Sequence, residues 1–300
     1  MPKYILSTIL LVLLCTLCSA TPRFNVDVNE VPFSFESGLV IVEAKIKGDV
    51  PVQVVISTGA ERSIIDPRLL EKYKLPAYYA ADGPVTGSND STYSFTKVSS
   101  VSVPGGKSKD VDMRFGPIAQ VSQAVGREIF AALGADYFEG QIVQFDFKKR
   151  VIRFLDKSPA DTLKDKIASS GAVLRMAEKA SNPFQRTFMI PIVSEVTING
   201  QKSKLLLDTG RAASLAFSSS AAKKAGLSAP ADNSAPREDK LKSLRLGEYE
   251  MADVPAMLYA KGTSAELSLS KYGVVAGTAF LQNFLATFDF RGKYVVLERA

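Results

Sequence analysis

Histidine is absent from this chain of 300 residues. That excludes Ser-His-Asp and Cys-His nucleophilic catalysis, and it removes imidazole as a zinc ligand. Cysteine is nearly absent as well. The only two, Cys15 and Cys18, both sit in the N-terminal segment, so a mature chain cleaved after Ala20 would fold without disulfides. Metal ligation through thiolates goes with them, and no metal or cofactor is expected. Any chemistry here falls to carboxylates, hydroxyls, Lys, Arg and Tyr.

A long apolar run is also lacking beyond residues 4–14, which follow Lys3. That run is too short for a membrane span. With Ala20 preceding Thr21 as a small-residue cleavage site, residues 1–20 read as a secretory leader. Bulky Leu17 before Cys18 argues against lipid attachment there, and no stable membrane anchor is expected. Export to a periplasm, cell envelope or extracellular space follows, and the lack of disulfides leans towards a bacterial envelope. About 280 residues remain, enough to bury a core without staples. The formal net charge is +6, one less without Lys3. Its basic residues are scattered, so a solvated surface is expected rather than a nucleic-acid patch.

What the chain does have is a repeat. Residues 54–63 read VVISTGAERS and residues 205–214 read LLLDTGRAAS. Each is an apolar strand running into a Thr-Gly turn. Further matches keep the same order. FDFKKRVIRFL at 145–155 answers FDFRGKYVVLE at 288–298, and both read as hairpins. Ala132-Leu133-Gly134 answers Val275-Ala276-Gly277, and the segments 98–113 and 241–257 share a strand, Gly-turn, strand pattern. Turns at Gly48-Asp49 and Asn199-Gly200 precede the two motifs. Helical signals are few: Pro67–Tyr73 with Asp66 as cap, and Ser218–Ala225. Residues 157–185 are polar and read as a linker, with a possible strand at Ala172–Met176.

An Asp-Thr-Gly turn at a strand end presents a carboxylate at a loop tip, a hydroxyl that bonds across to a partner loop, and a glycine that permits close approach. Two such loops tip to tip would share one proton between two carboxylates. One would then activate water while the other protonates a substrate carbonyl, which is peptide hydrolysis without histidine or metal.

On these residues the chain resembles the aspartic proteases of the retropepsin-like kind, with two lobes fused in one chain as in pepsin. The resemblance implies an all-β, bilobal fold of closed barrel lobes, at 21–156 and 186–300, facing each other across a cleft. It implies an extended peptide or protein substrate bound in that cleft. It assigns Asp208 as a catalytic aspartate, Thr58 and Thr209 as an interlocking grip, and Gly59 and Gly210 as the turn glycines. A flap is implied at Ala81–Phe95, with Gly87 and Tyr93 as parts of a mobile cover.

Two residues depart from the family pattern. Ser57 stands where the other catalytic aspartate belongs, and Arg211 follows the second glycine where a small residue is usual. A guanidinium beside Asp208 would favour its ionised form or anchor a carboxylate ligand. Glu61 and Asp66 are candidate replacement acids, and a homodimer pairing Asp208 with Asp208 is a further route. The intact Thr58-Gly59 favours a monomer whose own halves dock. Asn89-Asp90-Ser91 is a glycosylation sequon, meaningful only in a eukaryotic secretory pathway. Three functions stay open: cleavage by water activated at Asp208 with an incomplete pair, peptide binding by a degenerate protease, or a structural and interaction module.

Overall fold

The computed structural model describes residues 30–79, 94–163, 170–181 and 187–300. The leader, the sequon, and the flap except Ser94 and Phe95 lie outside these residues. The chain is mostly β and forms two sheets. Neither sheet closes into a barrel. The eight-stranded sheet runs from Ser34–Glu36 to Tyr78–Tyr79, and the fourteen-stranded sheet runs from Glu30–Pro32 to Arg237–Leu241. The expectation of closed barrels is corrected here. Ile142–Asp146 and Phe284–Asp289 pair with each other, which carries the last strands of the first half into the fourteen-stranded sheet and leaves both sheets open.

Each Thr-Gly turn is reached by a hairpin. Leu39–Ile46 pairs with Val50–Ile56, and Thr187–Ile198 pairs with Gln201–Leu207. The hairpin tips need left-handed backbone, and Asn199 (φ 47°) followed by Gly200 (φ 82°) provides it in a two-residue loop. The last turn of each hairpin strand is wholly buried apolar: Val54, Val55 and Ile56 in one, Leu205, Leu206 and Leu207 in the other.

Those apolar ends pair in parallel with the short strands before the apolar-Gly steps. Ile56 lies beside Leu133, and Leu207 lies beside Ala276. The same short strands then pair antiparallel with the segments leaving the turns, Ile64–Ile65 and Leu215–Phe217. Both arms of each turn are thus pinned to one central strand. Local sequence explains this: three consecutive apolar residues can be buried on both faces only inside a sheet.

The two FDF strands meet directly. Ile142–Asp146 pairs antiparallel with Phe284–Asp289, with Gln144 opposite Thr287, the residues just before each FDF. The Gln144 amide donates to Thr287 Oγ1 at 3.0 Å, and both are buried. One step away, Phe145 and Phe288 pack edge to face at 5.7 Å, fully buried. Val151–Phe154, Glu30–Pro32, Tyr294–Arg299 and Gly171–Ser181 extend this arrangement on either side. The polar stretch 157–185 is therefore more than a tether, since Gly171–Ser181 is a sheet strand. One apolar cluster joins side chains from both halves of the chain.

Helices are short. Asp66 caps a single 3₁₀ turn, Pro67–Leu69, and Ser218 caps Ser219–Lys224. Ile118–Val125 and Ser264–Ser270 carried no recognised signal in the sequence. Among the described residues no helix is long and apolar enough to cross a membrane.

Truncating Phe145 or Phe288 to alanine at this junction should cost about 3–5 kcal/mol of stability. Urea denaturation of each variant against the natural chain checks it.

Candidate functional site

The two Thr-Gly turns touch tip to tip, held by a reciprocal hydroxyl lattice. Thr58 Oγ1 donates to the Leu207 carbonyl at 3.0 Å and accepts from the Thr209 N–H at 3.1 Å. Thr209 Oγ1 donates to the Ile56 carbonyl at 2.8 Å and accepts from the Thr58 N–H at 3.1 Å. Both threonines are fully buried. Each hydroxyl uses its one proton and one lone pair on the opposite turn, so four backbone groups are satisfied across the junction.

The glycines are there because the turns nearly collide. A Cβ on Gly59 would lie 2.5 Å from Asp208 Cβ, and one on Gly210 would lie 2.2 Å from Ser57 Oγ. Neither position admits a side chain without separating the turns.

Between the glycines sit Ser57 and Asp208. Ser57 Oγ donates to Asp208 Oδ1 at 2.9 Å. The same oxygen accepts from the Gly59 N–H at 3.1 Å and the Gly210 N–H at 2.8 Å. Ser57 is buried and Asp208 partly exposed. No hydrogen bond from a described residue reaches Oδ2, the oxygen left for a water or ligand. The central strands fix both turns from behind: the Ser57 N–H donates to the Leu133 carbonyl at 2.9 Å, and the Asp208 N–H to the Ala276 carbonyl at 2.8 Å.

The proposed replacement acids are engaged elsewhere. Glu61 pairs with Lys271 and accepts from the Tyr272 hydroxyl. Burial works to raise its pKa, but the bonds from Lys271 and Tyr272 outweigh it and hold the carboxyl below its ordinary value. Asp66 caps the 3₁₀ turn and binds the Arg68 guanidinium, which holds it below the usual carboxylate range. Neither forms a pair with Asp208. Arg211 Nη2 donates to Ser268 Oγ at 2.9 Å. Gly87 and Tyr93 lie outside the described residues.

Two contacts went unread in the sequence. One is the clasp of Glu61 by Lys271 and Tyr272, which ties the loop after one turn to the helix Ser264–Ser270 of the other half. The second is Asp136, which accepts from the Ser63 N–H and from Ser63 Oγ at 2.7 Å. Ser63 Oγ in turn accepts from the Gly134 N–H at 3.0 Å. In the second half the Gly277 N–H instead reaches the Ser214 backbone carbonyl. Asp136 stands two residues after Gly134, at the position of Ala279, so the repeat alignment carried a signal in that mismatch.

A cavity of about 650 Å³ abuts the second turn at Ala213 and Ser214 and is walled by Pro255 and Met257.

No protein-family model matches the chain, and its sequence matches none of the curated proteins compared with it. Among solved structures the chain is similar to basic 7S globulin from soybean, at 9% identity and a TM-score of 0.46, covering 91% of this chain and 95% of that one.

Valine at Thr58 or Thr209 keeps the shape but strands the opposite turn's N–H and carbonyl. Each should cost about 1–3 kcal/mol, and the double variant should cost less than the sum, because one lattice is lost once. A double-mutant cycle by urea denaturation checks this.

Burial pushes the Asp136 carboxyl up to about 6, against the pull of the Ser63 hydrogen bonds. An unfolded aspartate titrates near about 3.9, so the folded chain holds this proton more tightly. The resulting stabilisation is complete below about pH 4 and is lost as pH rises through about 6. Its size is about 3 kcal/mol. Asp136→Asn keeps an acceptor for Ser63 but cannot ionise. Between about pH 4 and pH 7 its stability relative to the natural chain should therefore rise by that amount in denaturant titrations.

Proposed function

We propose that this chain is an aspartic-protease-like protein that binds extended peptides between two lobes and does not turn them over efficiently. The observation that supports this reading is the hydrogen bond from Ser57 to Asp208. A protonated carboxyl in that place would donate the same bond and could then pass its proton to a substrate carbonyl. The serine hydroxyl donates the bond but does not release its proton in the range where carboxyls do. Loss of an acid-base partner typically costs ~10²–10⁴ in rate, and Glu61 and Asp66 are committed to other partners.

The lobes in this reading are residues 21–156 and 186–300, joined by a segment that adds a strand to the shared sheet. An extended ligand would lie between the lobes with its backbone hydrogen-bonded in strand fashion. The leader 1–20 would direct export. Asp208 Oδ2 is the acceptor that meets the ligand or a water at the centre. The chain acts as a monomer, because its own two turns already complete the junction that a homodimer would otherwise supply.

The test is a digest of a diverse peptide mixture by residues 21–300, from about pH 3 to pH 7, read by mass spectrometry, with a parallel measurement of peptide capture. The natural chain should capture peptides without products, and Ser57→Asp should gain cleavage that Asp208→Asn removes again. Cleavage by the natural chain that disappears in Asp208→Asn would instead establish a working enzyme. Neither capture nor rescue would leave an unused cleft and end the peptide-binding reading.

A further inference from the structure

Arg211 stands one residue beyond the glycine of the second turn, and its backbone is locked. Its carbonyl accepts from the Thr278 N–H at 2.7 Å and from Thr278 Oγ1 at 3.1 Å. A Cβ on Gly277 would lie 2.3 Å from that carbonyl oxygen, so the packing leaves no slack. Next to it, Ala212 packs under Gly38 of the first half, where a Cβ would lie 2.5 Å away. The side chain is aimed as well as anchored. Nη2 donates to Ser268 Oγ, and that hydroxyl spends its own proton on the Ala265 carbonyl at 2.7 Å. Ser268 therefore presents a lone pair to the guanidinium and holds it by a neutral contact.

No carboxylate among the described residues pairs with Arg211. The acid nearest in the sequence motif, Asp208, takes its hydrogen bonds from Ser57, Gly59 and Gly210. Glu61 is taken up by Lys271 and Tyr272, just past the helix that carries Ser268. Arg211 is partly exposed, its guanidinium is oriented by Ser268, and its backbone stands one residue beyond the second turn. Most of its N–H donors have no acceptor among the described residues, and a planar guanidinium matches a carboxylate through two parallel hydrogen bonds.

We propose that Arg211 is a carboxylate receptor, which selects peptides carrying an acidic side chain or a free C-terminal carboxylate near the Ser57–Asp208 centre. This rests on the peptide-binding reading above and names its ligand class. Ser268 is the positioning residue: it orients the fork without neutralising it, so the charge stays available for the ligand. Asp208 takes its three donors from the two turn tips, Ser57 and Gly59 of the first and Gly210 of its own, and none from Arg211.

The experiment uses residues 21–300 immobilised and offered decapeptide pools, random except at one fixed position carrying Glu, Gln, Lys or Leu. Each pool is made with free and with amidated C-termini, and capture is quantified by mass spectrometry. At one position the Glu pool should be captured about tenfold better than the Gln pool. If the ligand group is the chain terminus, the same margin appears as free over amidated. Arg211→Ala should erase that margin, Arg211→Lys should keep part of it, and Arg211→Glu should turn it towards Lys. Thermal unfolding of each variant verifies that it is folded. A purely structural arginine would not reverse the preference with its sign. Equal capture of all pools, or a margin that survives Arg211→Ala, overturns the receptor and leaves peptide binding standing. Capture of no pool overturns both.

Discussion

The hydroxyl lattice of Thr58 and Thr209 is the contact on which the rest of the molecule depends. Each hydroxyl crosses to the carbonyl that precedes the opposite turn and to the N–H inside it, so neither turn is satisfied alone. Buried backbone groups that lose such partners are costly. The strands before the turns can therefore end in three buried apolar residues only if the other half supplies the polar closure. The FDF strands repeat this dependence at the sheet level, where Gln144 meets Thr287 and Phe145 meets Phe288 across the junction of the repeats. Sheet and site are two views of one docking event.

Around that symmetric frame the chemistry is asymmetric. Asp208 gathers three donors on one oxygen, and one of them is the Ser57 hydroxyl that replaces a matching acid. The glycines show how little room the exchange had, since a Cβ at either would strike the opposing turn. Behind the serine turn, Ser63 and Asp136 form a charged brace; behind the aspartate turn, a backbone carbonyl does the same work. Beyond the aspartate turn, Arg211 carries a charge that no described acid offsets. The half with the carboxylate is thus also the half with the oriented cation, and the serine half holds an acid bound to Ser63.

Much of the frame was legible because repeats and strand ends write themselves locally. Two Thr-Gly motifs behind apolar strands, the two FDF hairpins and the apolar-Gly steps all rest on short-range patterns. What failed was closure. Barrel closure depends on which edge a strand finds, and the first FDF strand joins the second in the fourteen-stranded sheet instead of the eight-stranded sheet of its own half. The strand Gly171–Ser181 exceeded its short apolar signal because its second part, from Met176 on, is completed by pairing with Thr187–Ile198. The helix Ser264–Ser270 did carry a local signal, the Thr263 cap with Glu266 three residues on, and its remaining support is packing on the distant strand Leu215–Phe217.

Sequence by itself determined the chemical inventory: no imidazole, no thiol after Cys18, one Asp-Thr-Gly and one Ser-Thr-Gly. Such facts need no partner, since they follow from residue types and their spacing. Only the tertiary structure decided who answers whom. Ser57 donates to Asp208, Glu61 is claimed by Lys271 and Tyr272, Asp66 by Arg68, and Arg211 leans on Ser268 instead of on the carboxylate three residues before it. Hydrogen bonds and ion pairs form between atoms a few ångströms apart, and only the folded chain brings positions 57 and 208 within that reach.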